Sequence, residues 1–249
     1  MANDFKNIYY LLRSNGDIKI IVDYLKSKPN QNKAKSLYLE RQKEFHKIME
    51  KSHTSYDWFS GNIPIWRHML DKAGLSQKDE INYLEIGSFE GLSALFMLEE
   101  FPNCTVTCVD TWQGSDEHSS RLGSSIEDNF DYNVRKYHDR LTKKKMSSHE
   151  FLISANDAKY DIIYVDGSHY SDDVIIDVLK SFDILKIGGL LILDDYLWKN
   201  YKNKNDNPAV AINFFLKNKR QLMKILYLRG QVILQKTNTS ERRSISHAN

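Results

Sequence analysis

The sequence predicts an α/β protein built on a largely parallel sheet, and three observations lead to that class. From residue 81 onward, short apolar runs alternate with stretches of helical spacing, which is the pattern of βαβ units. Four of the five runs carry an acid at or beside their last position: Glu85, Asp110, Asp166 and Asp194. Finally, two β-rich runs near the end are separated only by Gly230, too short a link for a helical crossover, so they form an antiparallel hairpin.

Taken in order, the first eighty residues contain no strand pattern. Ile8, Leu11 and Leu12, then Ile18, Ile21, Val22 and Leu25, recur at helical spacing up to a stop at Lys28-Pro29. A second helix is expected from about Ala34 to Lys51, carrying Leu37, Leu39, Phe45, Ile48 and Met49. An aromatic segment follows, with Trp58, Phe59, Ile63, Ile65 and Trp66 set around Gly61 and Pro64. Strands are expected at 81–86, 105–110, 141–146, 161–166 and 189–194, with helices near 91–101, 125–140, 171–184 and 208–217. The hairpin occupies 223–229 and 231–237. The organisation is a helical cap or lid over 1–78, one sheet-containing unit over 79–237, and a polar, disordered tail over 238–249.

Composition narrows the function. The 249 residues carry 35 basic and 33 acidic side chains, a net charge of +2, so no chain-wide field attracts nucleic acid or a membrane. No stretch approaches the roughly 20 apolar residues of a membrane span, and the polar start lacks a signal-peptide pattern, so a soluble, cytoplasmic protein is expected. Cys104 and Cys108 lie four apart on one strand, too far to bridge.

Ligands of open α/β sheets bind beyond the carboxyl ends of the strands. There the first run continues Glu85-Ile86-Gly87-Ser88-Phe89-Glu90-Gly91-Leu92-Ser93 into a helix. Gly87 permits a tight turn, Gly91 lets helix and strand approach, and Ser93 lies in the first helical turn, where free N–H groups favour a carboxylate. Asp110 ends the second run, where a carboxylate accepts ribose hydroxyls. The spacing is G-x-x-x-G rather than the G-x-G-x-x-G of dinucleotide sites, with Ser88 and Phe89 where a pyrophosphate needs bare backbone. Glu85 would repel a pyrophosphate and attract an ammonium. A ligand with a ribose, an ammonium and a carboxylate but no phosphate is S-adenosylmethionine.

EIGSFEGLSA, VTCVDTW, YDIIYVDGSHYSDD and LKIGGLLILDDYLW resemble the class I S-adenosylmethionine-dependent methyltransferases. The likeness is greatest to the subgroup with D-G-x-H and D-D motifs that includes macrolide-sugar (macrocin- and mycinamicin-type) O-methyltransferases, and it extends to the catechol-type enzymes. The resemblance covers about residues 55–237 and implies a Rossmann-like sheet of seven strands with the last antiparallel. It implies that Glu85 holds the methionine ammonium, Ser93 its carboxylate and Asp110 the ribose. Thr111 and the Ser148-His149 pair are expected beside the adenine.

Asp166, Asp194 and Asp195 end two runs that are neighbours in this topology, and three close carboxylates repel unless they share a cation. A hard divalent ion, Mg²⁺ or another, is the expected occupant. His169 follows Asp166 by three residues and is the expected general base for an acceptor hydroxyl acidified by the metal. Asp172 and Asp173 read as helix-start acids, and His53 and His118 as ordinary residues. The Trp58 segment and Tyr196–Tyr201 are expected to wall the acceptor pocket. The expected function is metal-assisted O-methyl transfer to a small-molecule hydroxyl, of a sugar or a phenol. The alternatives are an inactive S-adenosylmethionine-binding partner protein and, less favoured, an NAD-dependent oxidoreductase. Neither nucleic acid nor a membrane is expected as partner; a homo-oligomer is left open.

Overall fold

A computed structural model describes residues 2–114, 125–155, 157 and 159–238. His118 and the tail beyond 238, both singled out from sequence, lie outside the described residues. Helix α1 (Ala2–Arg13) ends where Asn15 adopts φ 64° and Gly16 packs its backbone so close to Leu11 that a Cβ would lie 2.5 Å from the Leu11 carbonyl oxygen. Asp17 then caps α2 (Ile18–Met49) by accepting from the Ile20 amide at 2.9 Å.

The expected break at Pro29 is not found. Helix α2 runs 32 residues through Pro29, and its only non-helical residue is Tyr38, at φ −122° and ψ 16°. A proline normally breaks a helix interior. Tertiary contacts override it here: Ser27 accepts from the Leu228 amide at 2.8 Å, and Asn30 donates to the Leu226 carbonyl at 3.3 Å. The helix is thus sewn on both sides of the proline to an edge strand whose outer backbone groups would otherwise go unpaired.

The remaining elements are α3 (Ile63–Lys72), β1 (Ile81–Ile86), α4 (Leu92–Glu100), β2 (Cys104–Asp110), α5 (Ser125–Val134), β3 (Leu141–Lys145), α6 (Ser148–Ser154), β4 (Tyr160–Val165), α7 (Ser171–Ile184), β5 (Leu185–Leu193), α8 (Pro208–Lys219), β6 (Met223–Leu228) and β7 (Val232–Lys236). The seven strands stand in the order β3-β2-β1-β4-β5-β7-β6; the first five pair in parallel and β7 is antiparallel to both its neighbours. Cys104 and Cys108 are buried and unbridged on β2. The sheet is covered on both faces. One core holds α3, α4 and α5 with Trp66, Phe96 and Phe130; the other holds α1, α7 and α8 with Leu11, Phe182 and Phe215. Helix α2 passes around the β6 edge and contributes Tyr24 to the second core and Phe45 to the first. The N-terminal helices therefore complete the core as well as border the site.

Strand register positions the chemistry. Val109, Ile86, Val165, Leu193 and Val232 are successive partners across β2, β1, β4, β5 and β7. The residues just beyond that row are Asp110, Gly87, Asp166, Asp194 and, because β7 runs the other way, Gln231.

Candidate active site

The glycine turn after β1 is held by close packing. Gly87 has φ 82°, and a Cβ there would lie 2.1 Å from the Asp166 carbonyl oxygen. Gly91 caps α4 at φ 80°, with the Phe130 ring 2.8 Å from the position of a Cβ. Only glycine fits either place. Asp110 locks the turn: its Oδ2 accepts from the Ser88 and Phe89 amides at 2.7 and 2.9 Å, and its Oδ1 from the Trp112 amide at 2.7 Å. Three of about four acceptor positions are taken, which leaves room for one more donor.

Glu85 is fully buried at the end of β1. Its Oε2 accepts from the Tyr83 hydroxyl at 2.5 Å, while its Oε1 has no partner, and the buried Ser88 hydroxyl has none either. Burial pushes the Glu85 carboxyl up to about 7, against the pull of the Tyr83 hydroxyl. An orphaned buried carboxylate oxygen is costly unless a donor completes it, and a cationic ligand would do so. Ser93 is buried in the first turn of α4. Thr111 follows β2 and accepts from the Gln113 amide at 3.3 Å. Ser148 and the exposed His149 open α6, which the sequence reading passed over although Ser147 and Glu150 form a capping box there. Ser148 faces Asp177, whose carboxyl burial pushes up to about 6.

The acids after β4 and β5 divide. Asp166, His169 and Asp195 offer ligand atoms that all lie within 4.8 Å of one another, and His169 Nε2 is 2.7 Å from Asp195 Oδ2. Asp194 points elsewhere. Its Oδ2 accepts from Gln231 Nε2 at 2.7 Å and from the Tyr164 hydroxyl, and its Oδ1 accepts from the Asp195 amide at 2.8 Å. The Tyr164 hydroxyl also lies 2.7 Å from Asp166 Oδ2, so two carboxylates share its single proton. Burial and the neighbouring Asp194 and Asp195 charges raise the Asp166 carboxyl well above the usual range, and Asp194 is pushed up to about 6, chiefly by burial. Hard oxygen donors crowded in this way fit a divalent cation, which relieves their mutual repulsion.

Aromatic rings cover the cluster. Trp198 stacks on His169 with ring centroids 4.7 Å apart, and Tyr201 stacks on Tyr170 at 4.2 Å. The Tyr10 hydroxyl of α1 donates to the Trp198 carbonyl at 2.8 Å. The segment expected to wall a pocket separates into core and surface. Phe59, Ile63, Ile65 and Trp66 are buried, whereas Trp58, 56% exposed, stacks on Tyr56 and makes a tilted ring contact with Phe89 of the glycine turn. His53 stacks on Tyr132, and Asp172 and Asp173 stand in the first turn of α7.

Residues 84–196, which include Glu85, Asp110, Asp166, His169, Asp194 and Asp195, match the family described as a methyltransferase domain. That stretch, a little under half of the chain, is similar to a methyltransferase domain. Solved structures place the whole sheet in the class I, Rossmann-like methyltransferase fold. MycE methyltransferase of mycinamycin biosynthesis, described in complex with Mg, SAH and mycinamycin VI, aligns with a TM-score of 0.54 at 16% identity, over 81% of this chain and 57% of its own. A caffeoyl-CoA O-methyltransferase candidate from Staphylococcus aureus aligns with a TM-score of 0.53 at 15% identity, over 85% of this chain and all of its own. In sequence, the chain is 26% identical over 134 residues to the uncharacterized protein R132 of Acanthamoeba polyphaga mimivirus, 52% of this chain and 58% of that one. The chain thus spans little more than half the length of that relative and of MycE.

Around this site the sequence reading missed three side chains. Glu90, buried, accepts from the Ser55 amide and hydroxyl at 2.6 and 2.7 Å and from Asn129 at 2.7 Å, which straps residues 53–55 over the glycine turn. Tyr164 and Gln231 hold Asp194. No sequence signal marks Gln231, whose place depends on the register of an antiparallel strand.

Proposed function

We propose that the protein is an S-adenosylmethionine-dependent, divalent-metal-assisted O-methyltransferase acting on a hydroxyl of a small, sugar-containing acceptor. The observation that carries the reading is the pairing, along one sheet edge, of the orphaned Glu85 oxygen with the Asp166–His169–Asp195 cluster. The first suits the cationic methionine end of the cofactor and the second an acceptor that must lose a proton.

In this mechanism Glu85 receives the methionine ammonium and gives up its proton as the cation arrives. Ser88, Ser93 and the free amides of α4 meet the carboxylate. Asp110 keeps its last acceptor position for a ribose hydroxyl, with Thr111, Ser148 and His149 around the adenine. Asp166 and Asp195 would hold the cation, with Asp194 behind them, and a cation held there would supply Lewis acidity toward the acceptor hydroxyl. His169 directs Nε2–H at Asp195 and takes the hydroxyl proton at Nδ1, and the Asp195 carboxylate stabilises the imidazolium that forms. S-adenosylmethionine would supply the methyl group, leaving as S-adenosylhomocysteine, and the positioning of the acceptor by these residues would supply much of the rate. Trp198, Tyr201 and the exposed Tyr56–Trp58 stack offer ring faces of the kind that pack on sugars.

The test is incubation with labelled S-adenosylmethionine and Mg²⁺ against panels of glycosides and phenols, with identification of the methylated product. Transfer to a sugar hydroxyl is expected, abolished in Asp166→Ala while cofactor binding persists. Full activity in excess chelator would sink the metal's role. Cofactor binding with transfer to no hydroxyl would make the protein a binding partner rather than an enzyme.

A further inference from the structure

We infer that Gln231, braced by Trp66, is a positioning residue of the metal centre: it fixes Asp194, which in turn aims Asp195 at His169 and Asp166. This rests on the metal-assisted reading above.

Three observations support it. First, Asp194 accepts from three donors, Gln231, Tyr164 and the Asp195 amide, so its carboxylate is held in place beside the cluster and serves as an anchor. Second, Asp195 stands at φ 53°, a left-handed conformation costly for a residue with a side chain, and the bond from its own amide to Asp194 Oδ1 holds that turn. The turn is what reverses the chain after β5 and brings Asp195 Oδ2 to within 2.7 Å of His169 Nε2. Third, the orientation of the Gln231 amide is set from α3. Trp66 Nε1 donates to Gln231 Oε1 at 3.0 Å, which leaves the NH₂ group facing Asp194. The Trp66 ring also packs edge-on against Tyr164 at 4.9 Å, so one fully buried indole braces both side-chain donors to Asp194.

The chain Trp66–Gln231–Asp194–Asp195 links the N-terminal helical layer, the last strand and the acid cluster. Outer partners of metal ligands typically change metal affinity 10- to 100-fold when removed. Trp66 and Gln231 bond to each other and Gln231 to Asp194, and among the described ring contacts Trp66 approaches Tyr83, the partner of Glu85, only distantly, at 6.5 Å, so loss of the hydrogen bonds in this chain should separate metal from cofactor.

The experiment measures Mg²⁺ and S-adenosylmethionine affinities by calorimetry on the full chain. Gln231→Leu keeps the bulk and removes the donor. Mg²⁺ binding is expected to weaken at least 10-fold, with cofactor affinity unchanged. Trp66→Phe, which keeps a ring against Tyr164 and removes only the N–H, is expected to weaken Mg²⁺ about 3- to 10-fold and decides the matter where Gln231→Leu does not fold. Wild-type Mg²⁺ affinity in the folded variants overturns the inference alone. Failure of the wild-type protein to bind Mg²⁺ while it binds S-adenosylmethionine overturns the metal reading and this inference with it. Parallel loss of cofactor and metal binding would mark a general structural role and also overturn it.

Discussion

Glu85 shows what a single side chain contributes here, because burial and an unfilled acceptor position act on one carboxyl group. Glu85→Gln keeps the shape and removes the charge that an ammonium needs. Hydrogen bonds to charged groups are worth about 1.5–3 kcal/mol, so S-adenosylmethionine affinity should fall about 10- to 100-fold, read by calorimetry. Asp194 and Asp195 make the complementary point. They are adjacent and chemically identical, and the sequence offers no reason to treat them differently, so both were expected to be ligands. A left-handed backbone turn at Asp195 gives them different partners, Gln231 and Tyr164 for Asp194 and His169 for Asp195, and nothing in the pattern of residues announces it. The placement of Glu85, Asp110, Asp166 and His169 at or just after strand ends, by contrast, is legible, because it follows from where an apolar run stops.

Secondary-structure elements were legible where periodicity and burial agree, as in β1, β4 and α7, and illegible where tertiary contacts overrule local preference, as at Pro29 in α2. The turn between β1 and α4 is the element most sensitive to a single methyl. Gly87→Ala would force a Cβ into the Asp166 carbonyl and strain a positive φ, and denaturant titration should show a loss of about 3 kcal/mol or more, or no folded protein. Helix α1 reaches the site by one hydroxyl. Tyr10→Phe frees the Trp198 carbonyl and so loosens the ring stacked on His169. Steady-state kinetics should show kcat reduced several-fold with cofactor affinity intact; an unchanged kcat would leave α1 with a packing role only.

Over the whole molecule, the charge balance of +2 hides acids gathered along one sheet edge. Glu85, Asp166 and Asp194, together with Asp177, all have carboxyls raised by burial. Each holds its proton more tightly folded than unfolded, so its favourable contribution is complete below the ordinary carboxylate range. For Glu85, Asp194 and Asp177 that contribution fades as pH rises through about 6 to 7, and Asp166, raised further, adds to the loss in the same direction. The melting temperature of the ligand-free, chelated protein is therefore expected to fall between pH 5 and 8. Mg²⁺ and S-adenosylmethionine together should restore it, since they replace the lost protons with other cations. A pH-independent melting temperature would count against this crowding. The hairpin β6–β7 carries a last consequence. Gln231 lies 165 residues from Trp66, and Leu228 lies 201 residues from Ser27. Such distant closures form slowly. During synthesis every acid of the edge emerges before the glutamine that orders them, so a chain arrested before the hairpin would carry all its carboxylates and still lack an assembled centre.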